Sequence, residues 1–361
     1  MKIGATLRCD ILVVGAGPGG GAAAMTLADA GLDVLIIEKK RRVGFPVQCA
    51  EYIPRLLGQH IDLSRSGIFQ SIATMKTFLP DGSLSEIESH GYMVDRERFD
   101  AAFTDAAVHR GARLLLETTA ASYDGETVTA RRGEEGFAIR PKIVIGADGP
   151  RSSVGRWIGA PNRALVSSKQ VTLPNRAPSQ CTQVYFRSYL PGGYGWIFPK
   201  GDRANVGVGV DPAFHIRASV ALERFLAEMR ALGRIAGEPI SVTGGLIPVG
   251  GMVKLREGRI LLVGDAAGQC HPVTGAGIAN AVLCGIAAGE VVAEVFRDGA
   301  PSRLAAYEER CEDLLGFSLG LAVARRKELD HEWGRSPKLL TWALKKSWIA
   351  FEEYYHATDS A

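Results

Sequence analysis

Three apolar runs, each ending in a glycine turn beside an acid, with a strand-rich stretch between the second and third, predict an α/β fold. The class expected is a Rossmann-like dinucleotide-binding domain, a second domain built on an antiparallel sheet, and C-terminal helices. The first run, Cys9 to Val14, enters Gly15-Ala16-Gly17-Pro18-Gly19-Gly20 and is followed by Val34-Leu35-Ile36-Ile37-Glu38. Gly15 permits the tight turn, Gly17 lets backbone approach a pyrophosphate, and Gly20 lets the next helix pack on the sheet. That Ala-rich helix, Ala22 to Ala30, points free N–H groups and a positive dipole end at phosphates. Glu38 would accept hydrogen bonds from a ribose 2′-OH and 3′-OH, and its charge disfavours a 2′-phosphate and so NADP. Gly15, Gly17, Pro18, Gly20, Glu38 and Lys39 are the candidate cofactor residues of this unit. The fingerprint alone does not separate NAD from FAD.

The other two units do. Lys142 to Ile145 ends in Gly146-Ala147-Asp148-Gly149 before a short helix. Arg259 to Val263 ends in Gly264-Asp265, followed by Pro272, Gly275-Ala276-Gly277 and a long Ala-rich helix. Asp265 is placed to bind a ribityl hydroxyl. The Gly275-Ala276-Gly277 loop would aim N–H groups at the flavin N1 and C2 carbonyl, which gain negative charge on reduction. Taken singly, the Asp148-Gly149 and Gly264-Asp265 units each have an ordinary βα turn as the alternative; three such units in this order predict FAD.

With these segments the chain resembles the glutathione-reductase-type flavoproteins. It more closely resembles their para-hydroxybenzoate-hydroxylase-like group, and within it the geranylgeranyl reductase family. The closest marks are Pro46-Val47-Gln48-Cys49-Ala50-Glu51, where the family has Pro-Val-x-Cys-Gly-Glu, and Tyr194-Gly195-Trp196-Ile197-Phe198-Pro199-Lys200, where it has Tyr-x-Trp-x-Phe-Pro. Tyr92 to Asp100 resembles the family's arginine segment, which implies that Arg96 lies near the cofactor. The resemblance runs from about residue 8 to about residue 310, and Ala50 departs from the family's Gly.

The resemblance implies an FAD-dependent reductase of isoprenoid-like C=C bonds, with Cys49 over the isoalloxazine on the substrate side. A thiol there, with an ordinary pKa near 8.5, would be a proton donor; the alternative is a small buried hydrophobe. Tyr194, Trp196 and Phe198 alternate and so share one strand face. They suit a wall against a hydrophobic substrate; the alternative is a sheet core. His271, beside the flavin loop, is a candidate for tuning pH dependence. A flavin-dependent monooxygenase and a flavoprotein electron carrier remain alternative functions. No second dinucleotide fingerprint names the electron donor, so NAD(P)H, a ferredoxin or another donor protein all remain open.

The 361 residues suffice for two packed lobes. A net charge of +3 without a Lys/Arg block predicts no nucleic-acid partner. Six scattered cysteines without a CxxC pair predict reduced thiols, no zinc site and no redox dithiol, and the histidines show no metal spacing. The polar lead before the first strand lacks the apolar core of a signal peptide, so a cytoplasmic location is expected. The Gly277 to Phe296 stretch reads as a buried helix. Mixed basic and aromatic residues from Arg325 to Trp348 suit either contact with a membrane surface or Trp anchors in a core. Residues 8–75, 90–160 and 245–300 are assigned to the FAD-binding domain, 76–89 and 161–244 to the substrate domain, and 301–361 to C-terminal helices.

Overall fold

The computed structural model describes residues 3–64, 67–175 and 178–356. The chain passes back and forth between two eight-stranded sheets. It begins in the first with β1 (Ile3–Val14), helix α1 (Pro18–Asp29) and β2 (Val34–Ile37). It crosses to the second for β3 (Tyr52–Pro54), β4 (Ile68–Phe78) and β5 (Leu84–Val94). Helix α2 (Arg96–His109) leads back to β6 (Arg113–Leu115), β7 (Thr118–Tyr123), β8 (Val128–Arg132) and β9 (Glu135–Gly146). After the short helix α3 (Ser153–Trp157), the second sheet gains β10 (Leu165–Pro174), β11 (Cys181–Tyr185), β12 (Gly195–Lys200) and β13 (Arg203–Val210). Helix α4 (Ala218–Ala231) and β14 (Ser241–Pro248) complete it. Strands β15 (Arg256–Glu257) and β16 (Ile260–Leu262) rejoin the first sheet. Helices α5 (Ile278–Asp298), α6 (Ala306–Cys311), α7 (Phe317–Asp330) and α8 (Pro337–Ser347) follow.

The first sheet runs β15-β16-β9-β1-β2-β6, with β7 and β8 extending from β9. Strands β16, β9, β1, β2 and β6 are mutually parallel. Both faces of such a sheet are covered, which is why Val34–Ile37 and Ile260–Leu262 are apolar and buried throughout. Helices α1 and α5 pack closely: a Cβ on Gly285 would stand 2.3 Å from the Gly19 carbonyl oxygen. Helix α5 is long and apolar enough to cross a membrane, yet Cys284, Ala287, Ala288 and Val292 are buried in the first core.

The second sheet runs β14-β10-β13-β12-β11-β4-β5-β3, antiparallel except for the parallel pair β11–β4. Leu222, Phe225 and Met229 of α4 pack on Val206 and Val208. Trp333, Leu340 and Trp348 of the C-terminal segment pack with Met75 and Val184. The divisions drawn from sequence at 75/76 and 89/90 fall inside β4 and β5, which run whole in this sheet. Their half-exposed pattern carries no apolar run to mark them.

Candidate active site

A cavity of about 680 Å³ is lined by the turns after β1, β2, β9 and β16 and by residues of the second sheet and C-terminal segment. Gly15 (φ 103°) turns where a Cβ would meet the Ala147 carbonyl oxygen at 2.3 Å. Gly20 packs behind it, its Cβ position 2.0 Å from the Gly15 carbonyl oxygen, and does not reach the cavity. Gly17 and Pro18 do line it, and a Cβ on Gly17 would meet no protein atom within 4 Å. The buried Glu38 carboxylate accepts the Ala16 N–H at 2.8 Å and the Lys40 N–H at 2.9 Å, fixing it beside Lys39 on the cavity wall.

Asp148 and Gly149 line the cavity, but the Asp148 carboxylate accepts from Ser152 Oγ and, at 2.6 Å, from the Ser153 N–H at the start of α3. Asp265 differs. No hydrogen bond to its carboxylate occurs among the described residues, and burial pushes its pKa up to about 6 while Arg96 opposes the shift. Gly264, Gly275, Ala276 and Gly277 surround it on the cavity wall, with Gly277 at the N-terminus of α5. Pro272 does not line the cavity; its carbonyl accepts from Arg326 at 3.2 Å behind the loop.

His271 is not a titrating group near neutrality. Burial lowers its pKa to about 4. Nδ1 accepts the Val273 and Thr274 N–H groups at 3.3 and 3.2 Å, which leaves Nε2 to donate to Tyr354 Oη at 3.2 Å. The ring therefore shapes the loop, and the pH role expected from sequence is withdrawn.

Cys49 sits at a convergence. Its Sγ accepts the Glu51 N–H at 3.2 Å, and its carbonyl accepts from Gln170 at 3.0 Å. Trp196 Nε1 holds Gln170 in turn at 2.9 Å. Glu51 is buried at φ 73°, a left-handed position uncommon for a residue with a side chain. Its carboxylate takes Lys200 Nζ at 2.8 Å to both oxygens, Asn205 Nδ2 at 2.8 Å and the Arg96 N–H at 3.1 Å. The positive φ thus falls on Glu51 and not on Ala50, so alanine in place of the family's glycine carries no backbone strain. The Arg96 guanidinium is largely buried, its side chain 14% exposed. Burial opposes its charge, but a bidentate pair with Asp100 at 3.0 and 2.9 Å and the adjacent Cys49 sulfur hold it protonated.

Tyr194, Trp196 and Phe198 all line the cavity. Tyr194 precedes β12, and its hydroxyl donates to the Thr274 carbonyl, tying this wall to the loop before α5. Its ring lies 6.0 Å from that of Trp196 and 5.3 Å from that of Trp348. Trp348, Ile349 and Tyr355 also line the cavity, a contribution of the C-terminal segment that sequence reasoning missed.

Residues 10–163 match the FAD dependent oxidoreductase family, 167–247 the geranylgeranyl reductase catalytic domain, and 251–315 the FAD binding domain. The chain is 36% identical over 332 residues to the digeranylgeranylglycerophospholipid reductase of Methanocella arvoryzae, covering 86% of this chain and 84% of that one. The chain belongs to the geranylgeranyl reductase family. A geranylgeranyl bacteriochlorophyll reductase-like protein from Thermoplasma acidophilum shares the fold at a TM-score of 0.83 and 27% identity, covering 95% of this chain and 97% of that one. A probable FAD-dependent monooxygenase from Pseudomonas aeruginosa, at 18% identity over 93% of this chain and 99% of that one, shares the fold alone, with a TM-score of 0.68.

This geranylgeranyl reductase family member is therefore an FAD-dependent oxidoreductase. Its residues fit the cofactor. Gly17 and Gly149 leave open space where a side chain would stand, and Asp265 presents an unpartnered carboxylate to the cavity. Gln170, Asn205 and Asp100 went unread in the sequence. Only Asp100 carried a signal, four residues after Arg96 on one helix face.

Proposed function

We propose that this reductase saturates isoprenoid C=C bonds of a hydrophobic lipid, in keeping with the glycerophospholipid substrate named for its relatives. The observation that carries the reading is the Cys49 loop, pinned to the second sheet by Gln170, Lys200 and Asn205 and facing an aromatic, largely apolar wall. When bound and first reduced by an external electron donor, FAD would supply the hydride and return to its oxidised form. The Cys49 thiol supplies the proton to the other alkene carbon, leaving a saturated bond and a thiolate. The Arg96 guanidinium and the Glu51 N–H stabilise that thiolate until solvent returns a proton. Glu38 holds the adenosine ribose and Asp265 the ribityl chain, with Gly15, Gly17, Pro18, Lys39, Gly149, Gly264, Gly275, Ala276 and Gly277 shaping the cradle. Asp148 acts through its turn, since α3 occupies its carboxylate, and Gly20 and Pro272 support from behind. Tyr194, Trp196 and Phe198 face the substrate.

The deciding experiment is anaerobic reduction of the holoenzyme with NAD(P)H or a reduced ferredoxin, followed by reoxidation with prenyl lipids. Reoxidation by the lipid with formation of saturated product is expected. Reoxidation only by O₂, with hydroxylated product, would overturn the reading in favour of a monooxygenase.

Two substitutions test the cofactor assignments. Glu38→Ala should weaken FAD retention by about 1–3 kcal/mol, read by equilibrium dialysis. Asp265→Asn should hold FAD less tightly yet stabilise the flavin-free protein at neutral pH. The folded pKa of Asp265 is about 6 against an unfolded value of 3.8, so the folded state binds the extra proton between them. Stability present below the lower value is then lost as pH rises through the upper one, and Asn removes that loss of about 3 kcal/mol. Melting flavin-stripped protein at pH 8 should show the Asn variant above wild type; equal melting would mean that Asp265 is unstrained without flavin.

A further inference from the structure

We propose that the exposed face of α8 docks the reductase on an anionic phospholipid bilayer; the choice of surface rests on the lipid-substrate reading above. Helix α8 is two-faced. Leu340, Ala343, Leu344 and Ser347 are buried. On the other side Lys338, Leu339, Trp342, Lys345 and Lys346 recur at intervals of three and four residues and form one stripe. Leu339 and Trp342 are 48% and 57% exposed, large apolar side chains at a place where burial would be expected. Lys346 Nζ lies 3.8 Å over the Trp342 ring. An exposed Trp and Leu bracketed by lysines match the layered chemistry of a lipid interface, with the ring at headgroup depth and ammonium groups at phosphates.

Two observations fix the occupant. The helix that carries the stripe leads directly into the cavity wall, because Trp348 and Ile349, directly after α8, line it, as does the exposed Tyr355. The second-sheet strands and C-terminal segment line that part with Met75, Ile87, Val184, Phe198 and Trp348. Glu88, an acid, is their one charged lining residue among those described. The cavity wall there accepts a prenyl chain but offers no cation to an anionic headgroup. The cations lie outside, on α8. Asp81, on the turn between β4 and β5, is an acid whose field reaches Lys345, leaving Lys338 and Lys346 toward the lipid. A bilayer at this face keeps the headgroup in its own plane while a prenyl chain enters the cavity beside it.

Co-sedimentation of the holoenzyme with phosphatidylcholine vesicles and with phosphatidylcholine–phosphatidylglycerol vesicles tests the proposal. Wild type should prefer the anionic vesicles by roughly tenfold or more, with the preference falling as salt rises. Trp342→Ala and the double variant Lys338→Ala/Lys346→Ala should each lose roughly tenfold in vesicle affinity. Both should keep FAD content and the reduction of detergent-dispersed prenyl lipid. Absent vesicle binding, or variants that bind as wild type does, overturns the proposal. So does a dimer in light scattering that these variants dissociate, which would put a second copy on the face. So does a selective loss of reduction by an acidic electron-transfer protein, which would put that donor there. Vesicle binding that tracks α8 in a protein inactive on prenyl lipids would leave the surface standing and remove the substrate reading instead.

Discussion

Glu51→Gln is expected to destabilise the holoenzyme by about 3–5 kcal/mol, because it strands the buried Lys200 ammonium. The pair is dry, with side chains 15% and 5% exposed for Lys200 and Glu51. An amide keeps the shape and the left-handed backbone but not the charge that Lys200, Asn205 and the Arg96 N–H converge upon. Chemical denaturation measures the loss. Lys200→Met should cost a similar amount, and the double variant Glu51→Gln/Lys200→Met less than the sum, since no charge is then left unpaired. Additive losses would show that the two groups act independently. The surviving Glu51→Gln protein should also reoxidise slowly with lipid, because the loop that aims Cys49 has lost its anchor.

Cys49→Ser is the second large effect. Serine keeps the small polar side chain but is a far weaker acid, so proton delivery suffers while donor docking does not. Stopped-flow measurements should show reoxidation by lipid slowed on the order of 10²-fold or more. Flavin reduction and FAD content should remain close to wild type, with an altered flavin spectrum. Equal slowing of both half-reactions would indicate a packing defect. No slowing of either would make Cys49 a buried hydrophobe. Arg96→Lys should share the Cys49→Ser signature in part, since a lysine keeps the charge but loses the fork that grips Asp100.

The first sheet was legible because parallel strands buried on both faces are written as apolar runs, as in Leu12-Val13-Val14 and Ile36-Ile37. Their terminal turns were legible because only glycine tolerates the contacts that Gly15 makes. The second sheet was harder to read. Strands β4 and β5 are half exposed, and their membership depends on a parallel pairing with β11 more than a hundred residues away, which no local pattern encodes. Gln170 and Asn205 looked like ordinary strand residues; their work depends on facing the Cys49 loop. The C-terminal tryptophans divide: Trp333 and Trp348 are core anchors, while Trp342 faces out.

The alternating passage of the chain between its sheets has a consequence for how the protein is made. Strand β1 leaves the ribosome before β9, but β9 gains its parallel partner β16 only when residues Ile260–Leu262 emerge. Until then the edge of β9 that will hold β16 has no partner, and α1 lacks α5 to cover it. Most of the second sheet is synthesised inside that interval. Contacts closed across such long separations are slow to form, and an open apolar sheet edge invites association with other chains. Because the cradle proposed for the adenosine and the loop around Asp265 come from opposite ends of the interval, FAD bound across both would favour only the late, closed state. Expression with abundant flavin should therefore raise the soluble yield of this chain more than its final thermal stability alone would explain.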